Sequence, residues 1–130
     1  MGEVSVKHEG GTAFTAESRG HTVRIDQPQD DDGGDSGMTP PELFASALAA
    51  CVGHYVAKYC ARTGIATEGL IVECGWNTEE QPYRIGEINM KVDLPGLPDK
   101  RMAAIERVAA SCMLHATLEH APYVTISINQ

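Results

Sequence analysis

The segment from Pro41 to Arg62 constrains the fold most, because it reads as one long helix of small and apolar residues. Phe44, Leu48, Cys51, Tyr55 and Tyr59 recur at three- and four-residue spacing, which lays them along one side of that helix. Ala45, Ala47, Ala49 and Ala50 keep its surface shallow enough for another element to approach closely. Thr39 is placed to cap the start, Pro40 and Pro41 fall where proline is tolerated, and Gly64 ends the run. Such a helix has to be covered by something else.

Alternating segments flank it. Val4 with Val6, Phe14 with Ala16, and Val23 with Ile25 mark three short strands punctuated by Gly10-Gly11 and Gly20, a meander within the first 28 residues. After the helix, Leu70, Val72, Cys74 and Trp76 alternate on one strand, and Ile88, Met90, Val92 and Leu94 on the next, joined by a polar connection containing Gln81-Pro82. A second helical region begins near Pro98, with Met102, Ile105, Val108 and Cys112 in one stripe, and continues or restarts through Leu118. Val124, Ile126 and Ile128 read as a closing strand. Strands, a long helix, strands, helices and a strand make an α+β fold, and 130 residues fit a single domain spanning 1–130.

Charge narrows the function. With 10 Lys and Arg against 18 Asp and Glu, the net charge is −8, which argues against a groove that tracks nucleic-acid phosphates. No apolar run approaches the roughly 18 residues of a membrane span, and MGEVSVKHEG lacks the basic and apolar regions of a secretory signal. The expectation is a cytoplasmic protein with neither nucleic-acid nor membrane partner. The acidic loop over residues 28–38 has neither the ligand spacing nor the terminal Glu of a calcium loop, and it is read as solvated.

Four cysteines remain, Cys51, Cys60, Cys74 and Cys112. Without an export signal they are thiols, metal ligands or redox groups rather than a disulfide framework. Cys51 and Cys112 each fall on the apolar stripe of a helix, whereas Cys60 lies nine residues from Cys51, on the opposite side. Two thiols facing one core from different elements could form a peroxide-reducing pair, one attacking oxygen and the other resolving the sulfenic acid. Three alternatives stay open. Both cysteines could be packing residues. Cys51-Val-Gly-His54 and Cys112-Met-Leu-His115 could instead supply two thiolates and two imidazoles to zinc. A non-enzymatic dimer that binds an apolar small molecule in its interface cleft would hold Cys51 and Cys112 as packing residues.

The stretches RGHTVRIDQP and GMTPPELFASALAACVGHYVAKYCARTGI resemble the N-terminal half of the OsmC/Ohr superfamily, and SCMLHATLEHAPYVTISI resembles its second cysteine region and closing strand. The resemblance covers nearly the whole chain and falls closest to the OsmC-like branch. It implies an intertwined homodimer and thiol-dependent reduction of organic hydroperoxides or hydrogen peroxide, without a cofactor or metal and with an external dithiol as reductant. Cys51 corresponds to the peroxidatic thiol and Cys112 to the resolving thiol, and Arg19 matches the arginine that stabilises the thiolate, with Arg24 the weaker match. An arginine favours the charged form of a nearby thiol, and only the thiolate is an effective nucleophile. The peroxidase branches carry a Glu ten residues before the first cysteine, where this chain has Pro41; Glu42 follows one residue later and projects from the helix side opposite Cys51. Glu42 is thus either the partner of Arg19 or a first-turn carboxylate favoured by the helix dipole. His21 and His115 also resemble residues of that branch.

Overall fold

A computed structural model describes residues 1–130, which fall into two compact units, Met1–Ser46 and Ala47–Gln130. The first unit begins with the expected meander, β1 (Ser5–Gly10), β2 (Ala13–Ser18) and β3 (His21–Ile25), antiparallel in the order β1-β2-β3. Arg19 and Gly20 form the two-residue turn between β2 and β3, with φ of 53° and 83°. Both central residues are left-handed, which matches the twist of the flanking strands. The large apolar side chains Val6, Phe14 and Val23 of this sheet stay exposed.

The segment after β3 is held by one carboxylate. Asp26 is only 2% exposed. It accepts hydrogen bonds from Thr12 Oγ1 and Ser36 Oγ, both at 2.5 Å, and from the backbone N–H groups of Gln27 and Ser36 at 2.8 and 3.1 Å. Arg24 Nε donates to Ser36 Oγ at 2.8 Å and extends the network to the surface. A loop of this polarity, which the sequence leaves without structure of its own, is thus pinned at both ends, with a short 3₁₀ turn at Gln29–Asp31 between.

The long helix, α1 (Pro40–Thr63), extends the expected bounds by one residue at each end. Gly64, at φ 73°, supplies the left-handed residue that stops it, and the Ile65 N–H returns to the Cys60 carbonyl at 3.0 Å. Its most buried line within the second unit is Leu48, Val52, Val56 and Cys60, one residue round from the expected stripe; Cys51, Tyr55 and Tyr59 flank that line and are partly buried. Cys60 is therefore a core residue, contrary to its expected place off the apolar side. The reason is that packing covers a wide arc of the helix, more than a narrow stripe. By length and composition α1 meets the measure of a bilayer-spanning helix, against the expectation of no apolar run near that length. Its Leu48–Cys60 line is instead the centre of a protein core.

In the second unit that line packs on a two-stranded antiparallel sheet, β4 (Ile71–Glu79) and β5 (Arg84–Asp93). Val72 opposes Val92, Cys74 opposes Met90 and Trp76 opposes Ile88, in the expected alternation. A Cβ added at Gly53 would meet Val72 Cγ2 at 3.5 Å, which marks how closely α1 approaches β4. Next come a 3₁₀ turn at Asp99–Arg101, then α2 (Met102–Ala110) and α3 (Met113–Glu119). The helix breaks at Ser111–Cys112, so Cys112 is not on the α2 stripe as expected but is the N-cap residue of α3, with φ −64° and ψ 145°. The expected closing strand does not form. Residues 121–130 pair with no strand of the chain, and Ile126 and Ile128 are 85% and 91% exposed. Alternation marks a segment able to pair, and pairing needs a free edge in reach.

Candidate functional site

Cys51 and Cys112 come together in the second unit. Cys51 arrives from the fourth turn of α1 and packs, partly buried, against the cluster of Leu48, Val52, Val56, Cys60, Leu94, Ile105 and Cys112. Cys112 arrives from the break between α2 and α3 and is fully buried, at 0% exposure. All four cysteines are free thiols.

The two sulfurs have different surroundings. Burial pushes the Cys112 thiol above its ordinary value, and a hydrogen bond and charge interaction with Cys51 push the same way. Opposing these, the backbone N–H groups of His115 and Leu114 favour the thiolate. The His115 N–H donates to Cys112 Sγ at 3.2 Å, so the sulfur fills the acceptor role that an oxygen usually takes at a helix start. Cys60 and Cys74 are also pushed up, in both cases by burial alone, and neither has such a donor. Within this unit, only Cys112 combines a neighbouring thiol with a group that can hold its anion.

The other expected site residues belong to the first unit. Arg19 sits exposed at the β2–β3 turn and takes part in none of the three ion pairs, which are Arg84–Glu79, Lys91–Asp93 and His115–Glu119. Glu42 closes a capping box: its Oε1 accepts from the Thr39 N–H at 2.8 Å, and Thr39 Oγ1 accepts from the Glu42 N–H at 3.3 Å. These bonds, the Thr39 backbone contribution being the larger, hold the Glu42 carboxyl below its ordinary value.

The histidines of the two Cys-x-x-His units do not converge with their cysteines as a ligand set. His54 is exposed, its ring edge-on to Tyr55, and His115 Nε2 lies 3.9 Å from Glu119 Oε1. No three His, Cys, Asp or Glu side chains gather anywhere in a way that would hold a metal ion. His21 pairs in register with Ser18 at the β2–β3 turn.

Sequence reasoning missed two features. Asp26 is the one buried charged residue, and its signal was an acidic residue directly after a strand and before a Gly-rich loop. The second is an apolar cavity of about 510 Å³ between the end of β5 and α2, lined by Val92, Leu94, Leu97, Met102, Ile105 and Glu106 among others. Leu94 and Ile105 belong at once to that lining and to the cluster around Cys112.

The OsmC-like protein family matches residues 33–127. No curated protein matches the chain by sequence. Among solved structures, the fold is similar to that of an osmotic-stress-induced and detoxification response protein of Psychrobacter arcticus 273-4, with TM-score 0.81 and 21% identity over 90% of this chain and 88% of that one. It is similar to an OsmC-like protein of Mycoplasma pneumoniae, with TM-score 0.77 and 19% identity over 93% and 89%. It is also similar to the organic hydroperoxide resistance protein OhrB of Bacillus subtilis, with TM-score 0.63 and 22% identity over 90% of each chain. With its α+β order, its Pro-Glu-Leu helix start and a family match that takes in both Cys51 and Cys112, the chain belongs to the OsmC-like family.

Proposed function

We propose that the chain is a cytoplasmic thiol-dependent peroxidase that reduces organic hydroperoxides or hydrogen peroxide, with Cys51 attacking and Cys112 resolving. The observation that carries this reading is the contact between two reduced thiols with unequal surroundings, one partly accessible and one fully buried. The Cys51 thiolate attacks a peroxide oxygen, the O–O bond breaks, and the alkoxide leaves and is protonated to the alcohol. Cys51 is then a sulfenic acid. The Cys112 thiolate attacks the Cys51 sulfur, the S–O bond breaks, and hydroxide leaves as water once protonated. An external dithiol returns the disulfide to two thiols and is itself oxidised to a disulfide. Burial of Cys112 suits the second role, since a thiol pushed up by desolvation is a poor first nucleophile.

A homodimer is part of the same reading. Val4, Val6, Val23, Phe44, Ile126 and Ile128 are exposed, and burying such side chains is what a partner copy would supply. Arg19 is assigned to thiolate stabilisation by the family resemblance, and Arg19→Ala is then expected to slow the reaction of Cys51 with hydroperoxide. The kinship to a hydroperoxide resistance protein supports the substrate class.

Hydroperoxide consumption with a dithiol reductant tests the proposal. Wild type consumes peroxide catalytically and Cys51→Ser falls to the uncatalysed rate; equal rates remove the peroxidase. The apolar cavity favours a second reading, a non-enzymatic small-molecule-binding dimer, because its volume lies in the range of about 300–1,000 Å³ common for ligand pockets.

A further inference from the structure

We propose that the cavity between the end of β5 and α2 is a binding site for a compact organic cation, an apolar body that carries one ammonium group. This rests on the second reading, in which the cavity holds a small molecule, and names that molecule's chemistry; neither thiol takes part. The cavity, of about 510 Å³, lies wholly within the second unit. Its lining is apolar apart from two acidic residues, Asp93 and Glu106, and includes no basic or hydroxyl-bearing residue. It offers a ligand apolar contact and negative charge, and no side chain to hold an anion.

The apolar and acidic parts of the lining differ in depth. Met102, Ile105, Glu106 and Ala109 recur at three- and four-residue spacing and so share one side of α2. Ile105 is buried, as is Leu94 just after β5, and both also belong to the cluster around Cys112. Met102 and Glu106 on the same side of α2 are exposed. An apolar body entering this space is removed from water along Leu94 and Ile105. Its charged end stays beside Glu106, where water still reaches, which avoids the cost of burying a charge.

Of the two carboxylates, Glu106 is the one without a cation of its own. Asp93 Oδ1 already has Lys91 Nζ at 3.6 Å. Glu106 takes part in none of the three ion pairs. The residues three and four positions from it on α2 are Met102, Ala103, Ala109 and Ala110, so its own helix places no cationic side chain beside it. Arg101 is engaged by Tyr59, to whose Oη its Nη1 donates at 3.0 Å. Arg107, next in sequence, lies about 100° round the helix. A ligand ammonium would donate charge-assisted hydrogen bonds to the Glu106 carboxylate, which are stronger than neutral ones. The net charge of −8 acts in the same sense, drawing in a cation and repelling a carboxylate ligand.

Octylammonium, octanol and octanoate share one chain and differ in the head group. The experiment measures their binding to the reduced full-length protein by calorimetry, with the methyl resonances of Leu94 and Ile105 followed by NMR. Salt is held at about 0.15 M, where exposed charges further than about 8 Å apart are largely screened. Octylammonium is expected to bind at least about tenfold more tightly than octanol and to shift both sets of methyls, and octanoate is expected not to bind. Glu106→Gln is expected to bring octylammonium down to the affinity of octanol while leaving octanol unchanged. Asp93→Asn, which removes a carboxylate already paired with Lys91, is expected to cost octylammonium less than about threefold. Equal affinity for ammonium and alcohol overturns the proposal and leaves the cavity an apolar site, so that the small-molecule reading survives. Equal losses in the two carboxylate variants also overturn it, since attraction is then to the overall charge. Methyls that no probe shifts, as when a second copy fills the space, overturn both the proposal and the small-molecule reading.

Discussion

In Met1–Ser46 the buried positions are Ala13, Ala45 and the carboxylate of Asp26, whereas in Ala47–Gln130 seven side chains, Leu48, Val52, Val56, Cys60, Leu94, Ile105 and Cys112, close round one another. The first unit leaves the large apolar side chains Val6, Phe14 and Val23 of its sheet in water, and what it buries is two alanines and one carboxylate. The second has an apolar core of its own, and the thiols lie in it. The difference teaches where stability and where association reside. Apolar burial is the main driving force of folding, and only the second unit achieves it within one chain. The first has surface left to bury, which is what a dimer needs. The two thiols of the proposed redox pair both belong to the unit that has the apolar core.

The comparison can be broken first at the core. Leu48→Ala removes a buried side chain from the middle of the cluster and should cost about 2–5 kcal/mol, measured by denaturant unfolding. A loss under about 1 kcal/mol would mean that the second unit is not held by this core. Next comes the exposed apolar surface. Ile126→Lys places a charge in the exposed segment expected as a closing strand, and sedimentation should show association weakened at least about tenfold with the second unit still folded. A wild-type monomer at micromolar concentration would remove the dimer altogether.

Smaller effects sharpen the contrast. Thr39→Ala opens the capping box at the start of α1 and should cost about 1 kcal/mol. Glu42→Gln keeps the cap geometry and removes only the charge, so peroxidase activity retained in that variant assigns Glu42 to the cap and not to Arg19. The smallest signal at neutral pH is a pH dependence. Hydrogen bonds, that from Ser36 first, hold the Asp26 carboxyl well below the ordinary carboxylate range. A group lowered on folding stabilises above its unfolded value and loses that contribution as pH falls through the folded one. Amide exchange of residues 26–38 should therefore rise as the solution is acidified below the ordinary carboxylate range, and Asp26→Asn should abolish that dependence.

Much of the architecture is legible in the residues. The meander, α1 and the β4–β5 pair follow from period-two and period-3.6 patterns with glycine stops, because those patterns record which face is covered. Cys51 and Cys112 both lie in apolar stretches, which points each toward a core, and their selection as a pair from four cysteines is what the family resemblance adds. What escaped is tertiary in origin. Cys60 is buried because β4–β5 covers a wide arc of α1, and no spacing within the helix reports the width of its cover. Cys112 lies on a break that Ala109-Ala110-Ser111 does not announce, so its capping role depends on where α2 stops. Residues 124–128 alternate as a strand but pair with none of the strands of their own chain, since pattern specifies a face and not a partner. Asp26 escaped because burying a carboxylate depends on four donors brought from Thr12, Gln27 and Ser36, which are distant or unremarkable in sequence.

The central claim is that Cys51 and Cys112 form one redox unit, and peptide mapping of the reduced protein after one equivalent of organic hydroperoxide tests it most directly. The account expects an intramolecular disulfide between Cys51 and Cys112, with Cys60 and Cys74 still reduced, because burial holds those two as unreactive thiols. Thiols that all stay reduced under excess hydroperoxide, or a disulfide that includes Cys60 or Cys74, would contradict it.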